Sequence, residues 1–165
     1  ILICFSFTQS HLRSDIPHFV DFKFILNESK AGKSAQDFLK KKLNDGIKNL
    51  QKKEKSIQAE EKKIIKQKKV ISGEEYKKRV TELRSKVSSL QKERNELLDS
   101  IAKQRAKARK ELLKNLNPIM SDYMKANKIR MIVDKKSILL ADETLNLTKE
   151  ITALLDKKLK SIKLN

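Results

Sequence analysis

Residues 34–71 contain no proline and one glycine, and Leu43, Leu50, Ile57, Ile64 and Ile71 recur at intervals of seven. A period of seven on one stripe predicts a coiled-coil seam, because it keeps one narrow face of a helix turned toward a partner helix. The second seam row is poor. It reads Ile47, Glu54, Glu61 and Lys68, so only its first member is apolar. Ser72-Gly73-Glu74-Glu75 has the form of a capping box, in which Ser72 caps a new helix and Glu75 reaches back. A tight turn is therefore expected at 72–75. The next helix carries Tyr76, Val80, Leu83, Val87, Leu90, Leu97 and Ile101 on its seam, with Arg94 as the one interruption. It continues through Ala108, Leu112 and Leu116 to Pro118, where the missing backbone donor should kink or interrupt it. Met120, Tyr123 and Met124 suggest a short continuation before Asn127.

Folded back about that turn, Ile64 meets Val80, Ile57 meets Val87, Leu43 meets Ile101, and Leu50 faces Arg94. At ~1.5 Å per residue, helix 34–71 gives an arm of roughly 55 Å. Thin packing along this arm should leave Leu50, Ile57, Ile64, Val80 and Val87 only partly covered.

Composition agrees with an extended helical structure. Of 165 residues, 36% are charged and 5% aromatic, too few apolar rings for one large core. Three glycines and two prolines argue against an all-β sandwich. A single cysteine excludes a disulfide framework and Cys-based zinc motifs. The expected class is α+β, mostly α: a long antiparallel helical hairpin projecting from a small β-containing body. The body is expected from 16–33 and 118–162, and the arm from 34–117. Strand patterns occur at Ile16 to Phe22, Ile129 to Val133 and Ile138 to Ala141, and Thr148 is placed to cap a last helix with Ile151, Leu154, Leu155 and Leu159. Strands from both ends of the chain must meet, which predicts a mixed sheet. Three short strands make a weak core, so the body should complete itself by oligomerising. Residues 1–10 begin with a nearly unbroken apolar run, Ile1 to Phe7, and then turn polar. They read as the remainder of a secretory signal segment, and its removal would take away Cys4.

The net charge is +18, and its placement matters more than its size. Residues 30–116 hold 27 Lys or Arg and 12 Asp or Glu, leaving +15 on the arm and +3 elsewhere. Lys62, Lys63, Lys66, Lys68 and Lys69 lead into the turn, and Lys77, Lys78 and Arg79 leave it. Such a tip attracts anionic partners: acidic protein segments, lipid headgroups or nucleic acid. Residues 39–75 have no aromatic side chain, which leaves base stacking without a platform. A structural coiled-coil tether is the remaining alternative.

Catalytic patterns fail on inspection. Ala31-Gly32-Lys33-Ser34 resembles the end of a phosphate-binding loop, but Asn27 stands where its first glycine is required. It reads instead as a helix entry with Lys33 and Ser34 facing solvent. His11 and His18 have no partners spaced for a triad or a metal site, and His18 beside a strand reads as structural. Neither enzymatic activity, a cofactor nor a metal is expected.

The segment Val20-Asp21-Phe22-Lys23-Phe24-Ile25-Leu26-Asn27-Glu28-Ser29-Lys30-Ala31-Gly32-Lys33 resembles the opening of the Skp/OmpH family of periplasmic chaperones. The stretch from Ile129 to Asp134, the Ile138-Leu139-Leu140-Ala141-Asp142 run and Thr148 before the final helix are similar to that family's ending, and Pro118 to its proline where the arm re-enters the body. The resemblance implies a homotrimer assembled through the β-containing body. Its arms would enclose a cavity that holds unfolded outer-membrane proteins without ATP, in the periplasm. Anionic lipid or lipopolysaccharide is a further implied partner, and specific nucleic acid is not. On this reading Leu50, Ile57, Ile64, Val80 and Val87 make weak apolar contacts with clients, and the eight tip cations give electrostatic capture.

Overall fold

A computed structural model describes residues 16–164. The expected apolar leader, 1–10, lies outside the described residues, as does His11. In chain order the elements are β1 (His18–Val20), α1 (Phe22–Glu28), α2 (Lys30–Gln67), α3 (Gly73–Ala126), β2 (Ile132–Asp134), two short 3-10 turns (Lys135–Ser137 and Glu143–Leu145) and α4 (Thr148–Lys158). The long hairpin of α2 and α3 rises from a small body made by the two chain ends.

The body is tied together by local caps that double as long-range links. The Asp21 carboxylate accepts from the Phe24 N–H at 2.8 Å and so starts α1. The Asp21 N–H donates to the Thr148 hydroxyl at 2.8 Å, joining the first helix to the last. Thr148 was expected to cap α4 with its side chain. Its hydroxyl instead serves Asp21, and Asn146 accepts from the Thr148 N–H at 3.1 Å in its place. Ser29, fully buried, accepts from the Gly32 N–H and begins α2 four residues earlier than the sequence pattern suggested. The Lys30 N–H donates to Asp156 at 2.7 Å, so a carboxylate from α4 sits at the positive start of α2. Gly32 has its own reason: a Cβ there would run into the Leu26 carbonyl, so only glycine lets α1 and α2 meet this closely.

The sheet is smaller than expected. β1 pairs with β2 in parallel, His18 with Ile132 and Val20 with Asp134, and a single parallel bridge joins Phe19 to Asn146. The expected strand at Ile138 to Ala141 is absent, and the sheet is two-stranded and parallel rather than mixed. Leu139 and Leu140 are 103% and 91% exposed, and this apolar run pairs with no strand among the described residues. Among the described residues no group hydrogen-bonds the buried His18 Nδ1.

Packing puts the main core between the chain ends and the foot of the arm. Val20, Ile25, Leu116, Ile151 and Leu155 are fully or almost fully buried and meet in one cluster. Apolar side chains on both sides of Pro118, among them Leu112, Leu116, Ile119 and Tyr123, belong to it. That packing holds α3 as one helix through the proline, where a kink or an interruption was expected. The helix ends with two bonds typical of a Schellman cap: the Ile129 N–H donates to the Met124 carbonyl and the Lys128 N–H to the Lys125 carbonyl. Lys128 takes the left-handed conformation at φ 56°, a position that favours glycine.

Above the body, Ala35, Leu39, Ile101 and Ala108 form a second cluster, joined by Leu164 from the chain's end. Small residues let the helices close up here. At Gly46 the approach is tighter still, since a Cβ would lie 2.5 Å from a Leu97 methyl. The hairpin turns at 68–71, before the expected 72–75, and Ser72 caps α3 by accepting from the Glu75 N–H at 3.2 Å. Only half of the capping box forms, because the Glu75 carboxylate binds Arg79 at 2.7 Å instead of reaching back.

Candidate client-binding arm

Beyond Gly46 the hairpin changes character. Three ion pairs cross between the helices: Lys53 with Glu93 at 2.5 Å, Glu60 with Lys86 at 2.6 Å, and Glu54 with Arg94 at 4.0 Å. The first two lie within two residues of the expected fold-back register. Lys53 and Glu60 each sit one position before Glu54 and Glu61 of the poor row, so these pairs flank the seam, and of the poor row itself only Glu54, toward Arg94, takes part. Their side chains are half exposed, and each such pair contributes only ~0–1 kcal/mol.

The expected contact residues divide. Leu50 and Ile64 are buried, contrary to the partial cover predicted for them. Each lies on the heptad row that points across the hairpin, and it fills the seam at that level. Ile57 and Val80 are half-buried, and Val87 is 50% exposed. The larger exposed apolar groups were missed: Ile65 at 60%, Val70 at 79% and Leu98 at 55%. Each belongs to a doublet, Ile64-Ile65, Val70-Ile71 or Leu97-Leu98. Within α2 and α3 neighbours point ~100° apart, so Ile64 or Leu97 can turn to the seam while Ile65 or Leu98 stays outside, whereas Val70 and Ile71 lie in the turn beyond α2. The doublets were the legible signal.

At the tip, Lys62, Lys63, Lys66, Lys68, Lys69, Lys77 and Lys78 are exposed. Lys68 lies over the Tyr76 ring, 5.7 Å from its centre. Lys62, Lys63, Lys66, Lys69, Lys77 and Lys78 form no ion pair among the described residues. Arg79 differs. It donates to Glu75 and, at 2.6 Å, to the Gln67 side chain, so it fastens the start of α3 to the end of α2. Arg79 is therefore a clamp inside the tip more than a free cation. Its hydrogen bond and charge hold the Glu75 carboxyl below the usual carboxylate range, and Lys78 adds to this. No group of acidic, histidine or cysteine side chains able to hold a metal occurs among the described residues. No described helix is long and apolar enough to cross a membrane.

The arrangement is one of surface attraction and weak apolar contact on a long hairpin. A family model described as "Outer membrane protein (OmpH-like)" matches residues 18–155. The chain belongs to this OmpH-like family. Its span takes in the body, both arm helices and most of α4. The OmpH-like chain is also similar to a solved structure from Caulobacter crescentus CB15, described as a candidate outer membrane chaperone (OmpH-like). The two share 18% identity and a TM-score of 0.85, over 91% of this chain and 90% of the other. At that identity the likeness speaks for the fold: a hairpin of long helices on a small β-containing body. No curated protein sequence matches this chain.

Proposed function

We propose that this protein is an ATP-independent holdase chaperone of the periplasm, which keeps unfolded outer-membrane proteins from aggregating between its basic arms. The observation that carries the reading is the pairing, on one projecting hairpin, of unpaired lysines with apolar side chains left outside the seam. Lys66 and Lys69 lie beside Ile65 and Val70 in sequence, and all four are exposed. Positive charge speeds the encounter with acidic or membrane-associated clients, and the apolar groups then supply many weak contacts. Individually weak contacts permit release, while several arms around one client raise the overall affinity.

Several arms require several chains, and we assign this protein a homotrimer assembled through its body. Support comes from Leu139 and Leu140, which stand almost free of cover in the segment that follows β2 of a two-stranded sheet. An exposed apolar run next to an unpaired sheet edge favours strand addition from another copy. The same tip lysines, beside Val70, suit the headgroups of anionic lipid or lipopolysaccharide as a secondary partner. The test is dilution of an unfolded β-barrel protein out of denaturant with increasing amounts of this chain. Suppressed light scattering, saturating near one client per three chains and without ATP, is the expected result. Unchanged scattering would leave a structural tether as the better reading.

A further inference from the structure

Two openings lie end to end along the middle of the arm. One, of about 470 Å³, is lined by Gly46, Leu50 and Leu97 with Lys52, Lys53 and Glu93. The other, of about 270 Å³, is lined by Ile57 and Leu90 with Lys53, Lys86, Glu60 and Glu93. They share Lys53 and Glu93, whose ion pair stands as a bar between them. The lining is partly apolar because Ile57, Leu90 and Leu97 are only half-buried there, while Leu50 beside them is buried. Of the three lining lysines, Lys53 and Lys86 are already held by a carboxylate from the opposite helix.

Resting on the chaperone reading, we propose that the two openings form one docking groove for a client segment in which a carboxylate stands next to apolar side chains. Glu93 and Glu60 are the groove's built-in stand-ins for that carboxylate. Charge complementarity selects this occupant. Lys53 and Lys86 bind carboxylates already, and the arm's surplus of positive charge favours an acidic newcomer over a neutral or basic one. On docking, the client carboxylate replaces Glu93 on Lys53, its neighbouring apolar groups cover Ile57, Leu90 and Leu97, and the displaced Glu93 turns to solvent. The exchange trades one ion pair for another, so its balance rests on the apolar surface that docking takes out of water. Because every group involved is near the surface, docking weakens as salt rises.

The test uses the full chain, with a dansyl-labelled unfolded peptide that intersperses leucine with glutamate and a twin carrying glutamine instead. Glu93→Gln removes the resident competitor, and the acidic peptide should bind about threefold to tenfold tighter at low salt. Lys53→Gln should weaken it by a similar factor, and the glutamine twin should respond to neither change. A photoreactive residue at Ser56, in the groove lining, should capture the acidic peptide, while one at Ser88, outside that lining, should not. Circular dichroism confirms that both variants keep their helix content. Equal binding of the two peptides by wild type, Glu93→Gln and Lys53→Gln overturns the proposal. Equal capture at Ser56 and Ser88 does so as well. Displacement of the peptide by anionic lipid vesicles, with loss of the Glu93→Gln effect, would give the groove to lipid and also overturn it. If wild type suppresses aggregation yet the variants bind the peptides alike, the groove fails and the chaperone reading stands. If wild type neither suppresses aggregation nor binds the acidic peptide, both fall.

Discussion

The same two helices are held together in two different ways. Near the body, Ala35, Leu39, Ile101 and Ala108 let them close on one another, and Leu164 covers the join. Farther out, beyond the close approach of Gly46 to Leu97, half-exposed ion pairs take over, with single apolar anchors at Leu50 and Ile64. Apolar packing removes area from water at ~25 cal/mol per Å² and is insensitive to salt. Exposed ion pairs return far less and are screened. The inner arm is therefore built to be rigid, and the outer arm to hold its shape loosely while keeping charge and apolar groups available. An arm packed like its root along its whole length would have no spare apolar surface for a client.

The strongest way to break this contrast is to damage the foot. Leu116 is fully buried in the body core, and Leu116→Ala should cost about 2–5 kcal/mol, seen as a large fall in the melting temperature by circular dichroism. An equivalent cut at exposed Val87 should change it by less than about 1 kcal/mol. Loss of stability from Val87→Ala as large as from Leu116→Ala would erase the distinction. Next comes the boundary itself. Gly46→Ala presses a methyl group onto the Leu97 methyls, which can swing aside, and it gains about 1 kcal/mol of helix propensity, so the net change in stability should stay under about 1 kcal/mol. Hydrogen exchange should locate any change near Leu97 and leave the body unchanged.

These positions also separate what the sequence made legible from what it hid. The heptad row from Leu43 to Ile71, the Ser72 cap and the richer seam of α3 were enough to place the hairpin and its register. Local chemistry determines each of them. The body was harder to read, because its elements answer to distant partners. Thr148 looked like a side-chain cap, yet its hydroxyl is taken by the Asp21 N–H from the other end of the chain. Pro118 looked like a break, yet core packing on both sides carries the helix through. Ile138 to Ala141 had strand composition but pairs with no strand among the described residues. On the arm, the heptad rule named Leu50 and Ile64 correctly as seam residues, which is why they are buried and not partly open. The exposed members of the three doublets lie outside that rule.

Smaller effects sharpen the comparison. Lys128→Gly relieves a left-handed backbone at the end of α3 and should stabilise the protein by about 1 kcal/mol, raising the melting temperature. Salt should act on one half of the arm only. Amides at 52–60 and 86–94 should exchange faster at high ionic strength, while those at 35–43 and 101–108 keep their rates. The smallest effect is at the tip. The Glu75 carboxyl is held below its ordinary value of 4.5, so its link to Arg79 is fully present above that pH. It weakens as pH falls through the lower folded value, and exchange at 67–79 should rise there and be flat near neutral pH. Glu75→Gln should remove this acid dependence.

The central claim is that client capture belongs to the outer arm. Hydrogen exchange of the full chain, alone and with a saturating unfolded β-barrel protein, tests it most directly. Added protection at 47–98, with the amides of β1, β2 and α4 unchanged, is the predicted result. Protection confined to the body, while aggregation is still suppressed, would contradict it.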